Sequence, residues 1–398
     1  MLRPKLAAVV FLAAVPLAGQ DLLAPGGLPE RQAAERLEEG ARGKEPLGCT
    51  VEPFKPFLNF ALRHQSGYRA SLSARQFARS QAFRVLFRVR SESGRPYYFR
   101  QVLTLRSLPL QRGAELTVAG GYFIGEGVYS VDWLLEDNAG RVCEKQWKVT
   151  ARRRGDERKL PSLIPNGTVA PLQFTSLQRH VSEKPYRVAI LLHAAPMHPR
   201  STTLTRYDQS LLLATLVGLL ERSPFVETSV TAFSLLQQKE VFRTPRLTGS
   251  TLRQLRQAMD DLELNTVDLS VLQRKDGHLE LLAELFNREV AASNPPDAII
   301  FIGPNTPYPD RFPKELLDAS EALPPVFYIH QDFYSRRFPF ADSIERLTKT
   351  ARGRVFSVYE PMQLVKAVVR IEQALASQDA SGARLKHAPG VLSFRNQK

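Results

Sequence analysis

A chain of 398 residues with 43% hydrophobic and 24% charged residues is too long for one small scaffold, and too ordinary in composition for global disorder or a bundle of membrane spans. Its two cysteines exclude an iron–sulfur protein and an all-cysteine zinc site. The formal net charge of +14 biases the choice of partner toward something acidic.

Residues 1–20 read as a secretory signal: Arg3 and Lys5 precede the apolar run Leu6 to Ala18, and small residues follow. As a helix that run would reach about 20 Å, short of the roughly 30 Å of a bilayer core. Gln20 stands where a lipoprotein signal needs its cysteine, so no lipid anchor is expected. The expected location is secreted or periplasmic, with no transmembrane segment in the mature chain. Residues 21–45 carry too few apolar positions to bury a face and read as a flexible lead with at most one marginal helix.

Residues 46–151 predict a β-sandwich. Phe83, Val85, Phe87 and Val89 alternate with Arg84, Leu86, Arg88 and Arg90, the period of two that marks a half-buried strand. Val128 to Leu135 and Val142 to Val149 predict a hairpin around Asp137-Asn138-Ala139-Gly140, residues that tolerate turn geometry. Cys49 and Cys143 flank this module, and in an oxidising compartment they are expected to form a disulfide that clips its first strand to its last. Residues 152–184, with Arg152-Arg153-Arg154, Pro161, Pro165-Asn166-Gly167 and Pro171, read as a linker.

Residues 185–376 alternate strands and helices. Tyr186 to Leu192 and Ala298 to Ile302 are continuous apolar runs, as expected of strands covered on both faces. Tyr207 to Arg222, Thr251 to Leu262, Leu279 to Val290, Ile344 to Thr350 and Glu360 to Leu375 have helical spacing. The predicted fold class is therefore a β-sandwich followed by an α/β domain with a doubly wound, mainly parallel sheet. Residues 377–398 read as a loose tail.

Two resemblances attach to these segments. Gly127-Val128-Tyr129-Ser130-Val131-Asp132-Trp133, with Asp137 and Gly140, resembles the closing hairpin of immunoglobulin-like domains. The order of elements in residues 185–376, with the phrase Leu347-Thr348-Lys349-Thr350-Ala351-Arg352-Gly353-Arg354-Val355-Phe356 before a final helix, resembles the von Willebrand factor A-like domains of secreted bacterial proteins. Members of that family that hold a divalent cation use an Asp-x-Ser-x-Ser loop, a Thr and a later Asp. This chain has His193-Ala194-Ala195-Pro196-Met197 and Gly303-Pro304-Asn305-Thr306 at the matching loops, with Thr266 as the remaining counterpart. The resemblance thus implies a degenerate site with no metal and no cofactor, because a hard cation needs oxygen ligands.

No Gly-x-Ser-x-Gly elbow, phosphate loop, His-Glu-x-x-His or Gly-x-Gly-x-x-Gly occurs. In an open α/β sheet ligands bind at the carboxyl ends of the strands. The loops there supply a candidate binding rim of His193, His198, Asn305, Tyr308, His330, Asp332 and Phe333. The expected function is that of an exported, non-enzymatic binding or scaffold protein of the bacterial cell envelope, recognising a protein or a glycan through this rim. The alternatives are a hydrolase using a crevice around His193, His330 and Asp332, and a structural spacer. Two basic clusters, Arg152-Arg153-Arg154 and Arg336-Arg337, point in an exported chain to an extracellular protein or anionic glycan rather than nucleic acid.

Overall fold

A computed structural model describes residues 20–77, 80, 82–92, 94–104, 115–174, 177, 186–198, 201, 204–262, 264, 271, 273–306, 308, 310–317, 323–333 and 340–380. The signal read in residues 1–19, Thr266, the Arg336-Arg337 cluster and the tail from residue 381 lie outside these residues. The chain combines α and β structure with much β, in two units, Met1–Gln173 and Phe174–Lys398. No helix among the described residues is long and apolar enough to cross a membrane.

In the first unit, β4 (Ala82–Ser91) pairs antiparallel with β5 (Pro96–Thr104) and with β7 (Gly127–Asp137), which pairs with β8 (Val142–Ala151). The predicted alternation holds: Phe83, Val85, Phe87 and Val89 are buried, whereas Arg84 and Arg90 are exposed. A second sheet runs β2 (Thr50–Leu58), β3 (His64–Ser73), β6 (Glu115–Ile124), β9 (Val169–Pro171), and a helical turn, α2 (Ala74–Phe77), follows β3. The two sheets share one core. Phe87 stacks on Phe99 at 4.7 Å between ring centres, and Tyr68 meets Trp133 edge-on at 5.4 Å. The β7–β8 turn is built as its residues imply: Asp137 Oδ1 accepts the N–H groups of Ala139 and Arg141, and Gly140 takes φ +80°. Cys49 and Cys143 form a disulfide, with Cα atoms 6.2 Å apart, joining the start of β2 to β8 of the other sheet.

Two expectations need correction here. Residues 21–45 are not a flexible lead, because β1 (Asp21–Leu22) pairs with β5 and α1 (Leu28–Glu39) packs on the outer side of the five-stranded sheet. The reason is a narrow apolar stripe, Leu23, Ala33, Ala34 and Leu37, which covers the outward-facing Leu86 and Tyr98. Arg36 then bonds Glu136 at 3.0 Å. Nor are residues 152–184 simply a linker. A 3₁₀ turn at Gly155–Lys159 leads through buried Leu160 to β9, which closes the second sheet by pairing with β6, so the first unit runs to Gln173.

The second unit holds β10 (Tyr186–His193), α3 (Arg206–Leu220), β11 (Phe225–Ser234), β12 (Lys239–Thr244), α4 (Gly249–Asp260), α5 (Gly277–Val290), β13 (Ala298–Pro304), β14 (Val326–Gln331), α6 (Ser343–Thr350), β15 (Arg354–Val358) and α7 (Pro361–Ala380). They make one sheet in the order β12-β11-β10-β13-β14-β15. All neighbours are parallel except the edge strand β12, which runs antiparallel to β11. Ala189, Leu191, Ile299, Phe301 and Tyr328 on one face pack against α5 and α6. Burying five such apolar side chains contributes on the order of 1.5–3 kcal/mol for each large one.

Candidate functional site

Because β10, β13 and β14 are parallel and in register, their carboxyl ends finish side by side. Leu192 pairs with Ile302, so His193 lies beside Gly303, and Gly303 pairs with His330. A Cβ added at Gly303 would come 2.7 Å from the His193 Cβ, so only glycine lets β13 pass between the two histidines. Strand ends therefore bring His193, Asn305, His330 and Asp332 to one edge. Phe333 follows Asp332 directly, and His198 and Tyr308 sit in the loops that leave β10 and β13 at the same edge.

That edge is not a crevice of free imidazoles. His193 is 2% exposed and His330 6%. The His193 ring lies 5.3 Å from Phe233, and burial holds its pKa down at about 3, against a hydrogen bond to the Pro304 backbone carbonyl. At neutral pH it is an uncharged ring and a poor proton acceptor. His330 stacks on Tyr328 at 5.0 Å. Among the described residues no hydrogen bond joins a histidine to Asp332: His330 Nε2 and Asp332 Oδ1 each lack a partner there, as do His193 Nδ1, Thr306 Oγ1 and Gln331 Oε1. The triad-like grouping of His193, His330 and Asp332 shares an edge without the bonding that a proton relay needs.

The group that organises the edge is Asp342, which is fully buried at the cap of α6. Its Oδ1 accepts the Glu345 N–H at 2.8 Å, and its Oδ2 accepts the Thr306 N–H at 2.9 Å and the Tyr328 hydroxyl at 3.4 Å. Burial raises the Asp342 carboxyl above its usual range, partly offset by those backbone N–H groups and by the nearby His330. Tyr308 is fixed separately. Its carbonyl accepts from the N–H and hydroxyl of Ser343, and its ring stacks at 4.4 Å on His278, whose Nε2 is 3.1 Å from Asp310 Oδ2. On the other face Gln331 Nε2 donates to the Leu211 carbonyl and to Thr215 Oγ1.

The loop after β10 carries Asp208 against it, but this carboxylate is engaged. Oδ1 accepts the Met197 N–H, and Oδ2 accepts the N–H and hydroxyl of Thr205, which closes the N-terminal cap of α3. Among the described residues no group of three or more His, Cys, Asp or Glu side chains is placed to hold a metal ion. Among the described residues two exposed aromatics at this edge carry no mark in the sequence pattern. Tyr207, in the first turn of α3, is 55% exposed, and Tyr359, directly after β15, is 52% exposed. Each sits one or two residues from a helix start, outside any hydrophobic period that would single it out.

The buried ring of His193 has a consequence in acid. Its folded pKa of about 3 lies below the ordinary histidine value of 6.5, so between these limits the unfolded chain binds the extra proton and stability falls as pH falls. From pH 7 to pH 5 this removes about 2 kcal/mol, at roughly 1.4 kcal/mol per unit. Hydrogen exchange across β10 is expected to show that loss in the native chain and a clearly smaller one in His193→Gln. Equal losses in the two would contradict it.

No protein-family model and no curated protein matches the chain. Among solved structures, a protein assigned as ApaA from Bordetella pertussis is 12% identical over 28% of this chain and 99% of its own, with a TM-score of 0.19. A β-glucuronidase from Bacteroides uniformis is 10% identical over 78% of this chain and 45% of its own, at 0.20. A β-glucosidase from Listeria innocua in complex with glucose is 12% identical over 27% and 16%, at 0.15. Overlaps this small carry neither a fold nor a function to this chain.

Proposed function

We propose that the chain is an exported cell-envelope protein whose second unit is a von Willebrand A-like module binding a protein partner through its carboxyl-edge rim, without a cation and without catalysis. The first unit, an immunoglobulin-like sandwich in this reading, holds or spaces that module. The strand order β12-β11-β10-β13-β14-β15, parallel but for one edge strand, favours the module's assignment as a doubly wound sheet. In the sandwich the Tyr129 hydroxyl donates to the Gly125 carbonyl at 3.0 Å, the kind of tyrosine corner that immunoglobulin-like sandwiches use.

The observation that carries the binding reading is the contrast at one edge. Titratable rings, His193 and His330, are buried, while aromatic rings, Tyr207 and Tyr359, stand in solvent beside half-buried Tyr308 and Phe333. Exposed tyrosines supply apolar area and a hydroxyl at small entropic cost, which is why protein interfaces are enriched in them. A photo-crosslinking amino acid placed at Tyr207 or Tyr359 in the intact protein within its own cells is expected to give a discrete protein adduct. The same group at Val226, exposed at the opposite end of the sheet on β11, is expected to give none. Adducts of equal yield from all three positions, or none from the two tyrosines, would remove the proposal.

A further inference from the structure

The first unit contains a cationic groove that the rim reading does not use. β2 and β8 are the outer strands of their two sheets and lie alongside each other, with the Cys49–Cys143 disulfide at one end. Between them is a cavity of about 220 Å³ lined by Phe54, Lys55, Pro56, Lys148, Thr150 and Arg154, among others, with no acidic residue in its wall.

The positions of these groups follow from the backbone. Along β2 the pairing with β3 passes from Phe54↔Gly67 to Phe57↔Gln65, leaving two residues against one, so Lys55 and Pro56 bulge out of the ladder opposite Ser66. Lys148 and Thr150 are exposed on β8, and Arg154 comes from the turn that follows. Lysine and proline on an edge strand discourage pairing with another chain, which accounts for Pro53, Lys55 and Pro56 without any ligand. It does not account for two further cations converging from β8 and its exit.

Charge pairing elsewhere in the unit sharpens the point. Arg36 and Arg84 bond Glu136, Arg88 bonds Asp132, Arg141 bonds Asp137 and Arg153 bonds Glu126. Lys55, Lys148 and Arg154 make no salt bridge among the described residues, so within the Arg152-Arg153-Arg154 run the middle arginine is neutralised and the next faces the groove. Phe54, 38% exposed, adds an apolar wall, and the Arg69 guanidinium lies 5.8 Å from its ring centre. Glu52, across from Arg69 in the ladder, does not line the cavity.

We infer that this groove binds an acidic polysaccharide, seating one anionic sugar at a time. Three unneutralised cations attract a carboxylate or sulfate, in a chain whose net charge is +14. The cavity is smaller than the roughly 300 Å³ at which pockets for whole small ligands begin, which suits one unit of a chain running along an open edge. A single aromatic wall also favours a glycan over a single-stranded nucleic acid, which uses a succession of stacking platforms.

The test is fluorescence anisotropy of the intact protein at fixed salt with four labelled probes: a galacturonic acid tetramer, its methyl ester, a sulfated neutral tetramer, and a single-stranded DNA of equal charge. The expected result is that the acidic tetramer binds, the ester does not, and a Lys55→Gln/Lys148→Gln/Arg154→Gln variant binds at least about tenfold more weakly. A control triple, Lys44→Gln/Arg90→Gln/Arg95→Gln, which removes the same charge from exposed positions elsewhere in the unit, should stay within about twofold of the native chain. The sulfated tetramer is expected to bind too, and to weaken in the groove triple as the acidic tetramer does. Equal losses in the two triples, binding of the ester as tight as that of the acid, or DNA binding tighter than that of either acidic sugar and lost in the groove triple would each overturn the inference.

Discussion

A Cys49→Ala/Cys143→Ala variant is expected to lose about 4–5 kcal/mol of stability in the first unit. The bridge closes a loop of 94 residues, and in the chain-entropy account the stabilisation grows with the logarithm of loop length. It also ties the two sheets together at the open side of the sandwich, where β2 and β8 share no ladder hydrogen bonds. Both tryptophans of the chain, Trp133 and Trp147, lie on β7 and β8, so tryptophan fluorescence during urea unfolding reports on this unit alone. A midpoint unchanged by the double substitution, or by reductant acting on the native chain, would mean that the bridge carries no weight.

The second large effect belongs to Asp342. Asp342→Ala leaves the Glu345 and Thr306 N–H groups without an acceptor in the interior, and removes the cap of α6. At about 1–3 kcal/mol for each buried donor stranded, the expected loss is roughly 2–4 kcal/mol. Asp342→Asn retains one oxygen acceptor but turns an amide toward groups that donate to the other, so its loss should be intermediate. Hydrogen exchange across β13 and α6 measures both. The pH dependence runs opposite to that of His193. A carboxyl raised in the folded state keeps its proton longer than in the unfolded chain, so stability falls as pH rises through the ordinary value of 3.8 toward the raised one. Removing the carboxyl should abolish that component and leave the acid loss due to His193 in place.

What could be read from sequence follows the regularity of each segment. β4, the β7–β8 hairpin, β10 and β13 announce themselves through strict alternation or unbroken apolar runs, and each forms where it is expected. β2 and β3 do not. Pro53 and Pro56 interrupt one, and the other opens with His64, Gln65 and Ser66, polar side chains that are buried rather than alternating. β12 is missed because an exposed edge strand needs no hydrophobic face, and β9 because three residues among prolines carry no period. α1 has too weak a stripe to stand alone and is held by Leu86 and Tyr98, far along the chain.

The candidate site divides in the same way. That His193, Asn305 and His330 end neighbouring strands is legible from the apolar runs before them. Their burial is not, because it depends on Phe233, Tyr328 and Asp342, brought in by other elements. The tyrosines that carry the proposal are hidden for the converse reason. Tyr207 adjoins a helix that is apolar nearly all round, and Tyr359 adjoins a strand whose last residue is buried, so nothing in their surroundings marks them as exposed.

The most direct test is the affinity of the partner captured at the rim, measured by calorimetry against the purified intact protein and against a Tyr207→Ala/Tyr359→Ala variant. Anchor residues of an interface cost about 2 kcal/mol or more when truncated, so at least a tenfold weakening is expected, with hydrogen exchange across β10, α3 and β15 unchanged. An affinity equal to that of the native chain would contradict the assignment of the carboxyl edge as the binding surface.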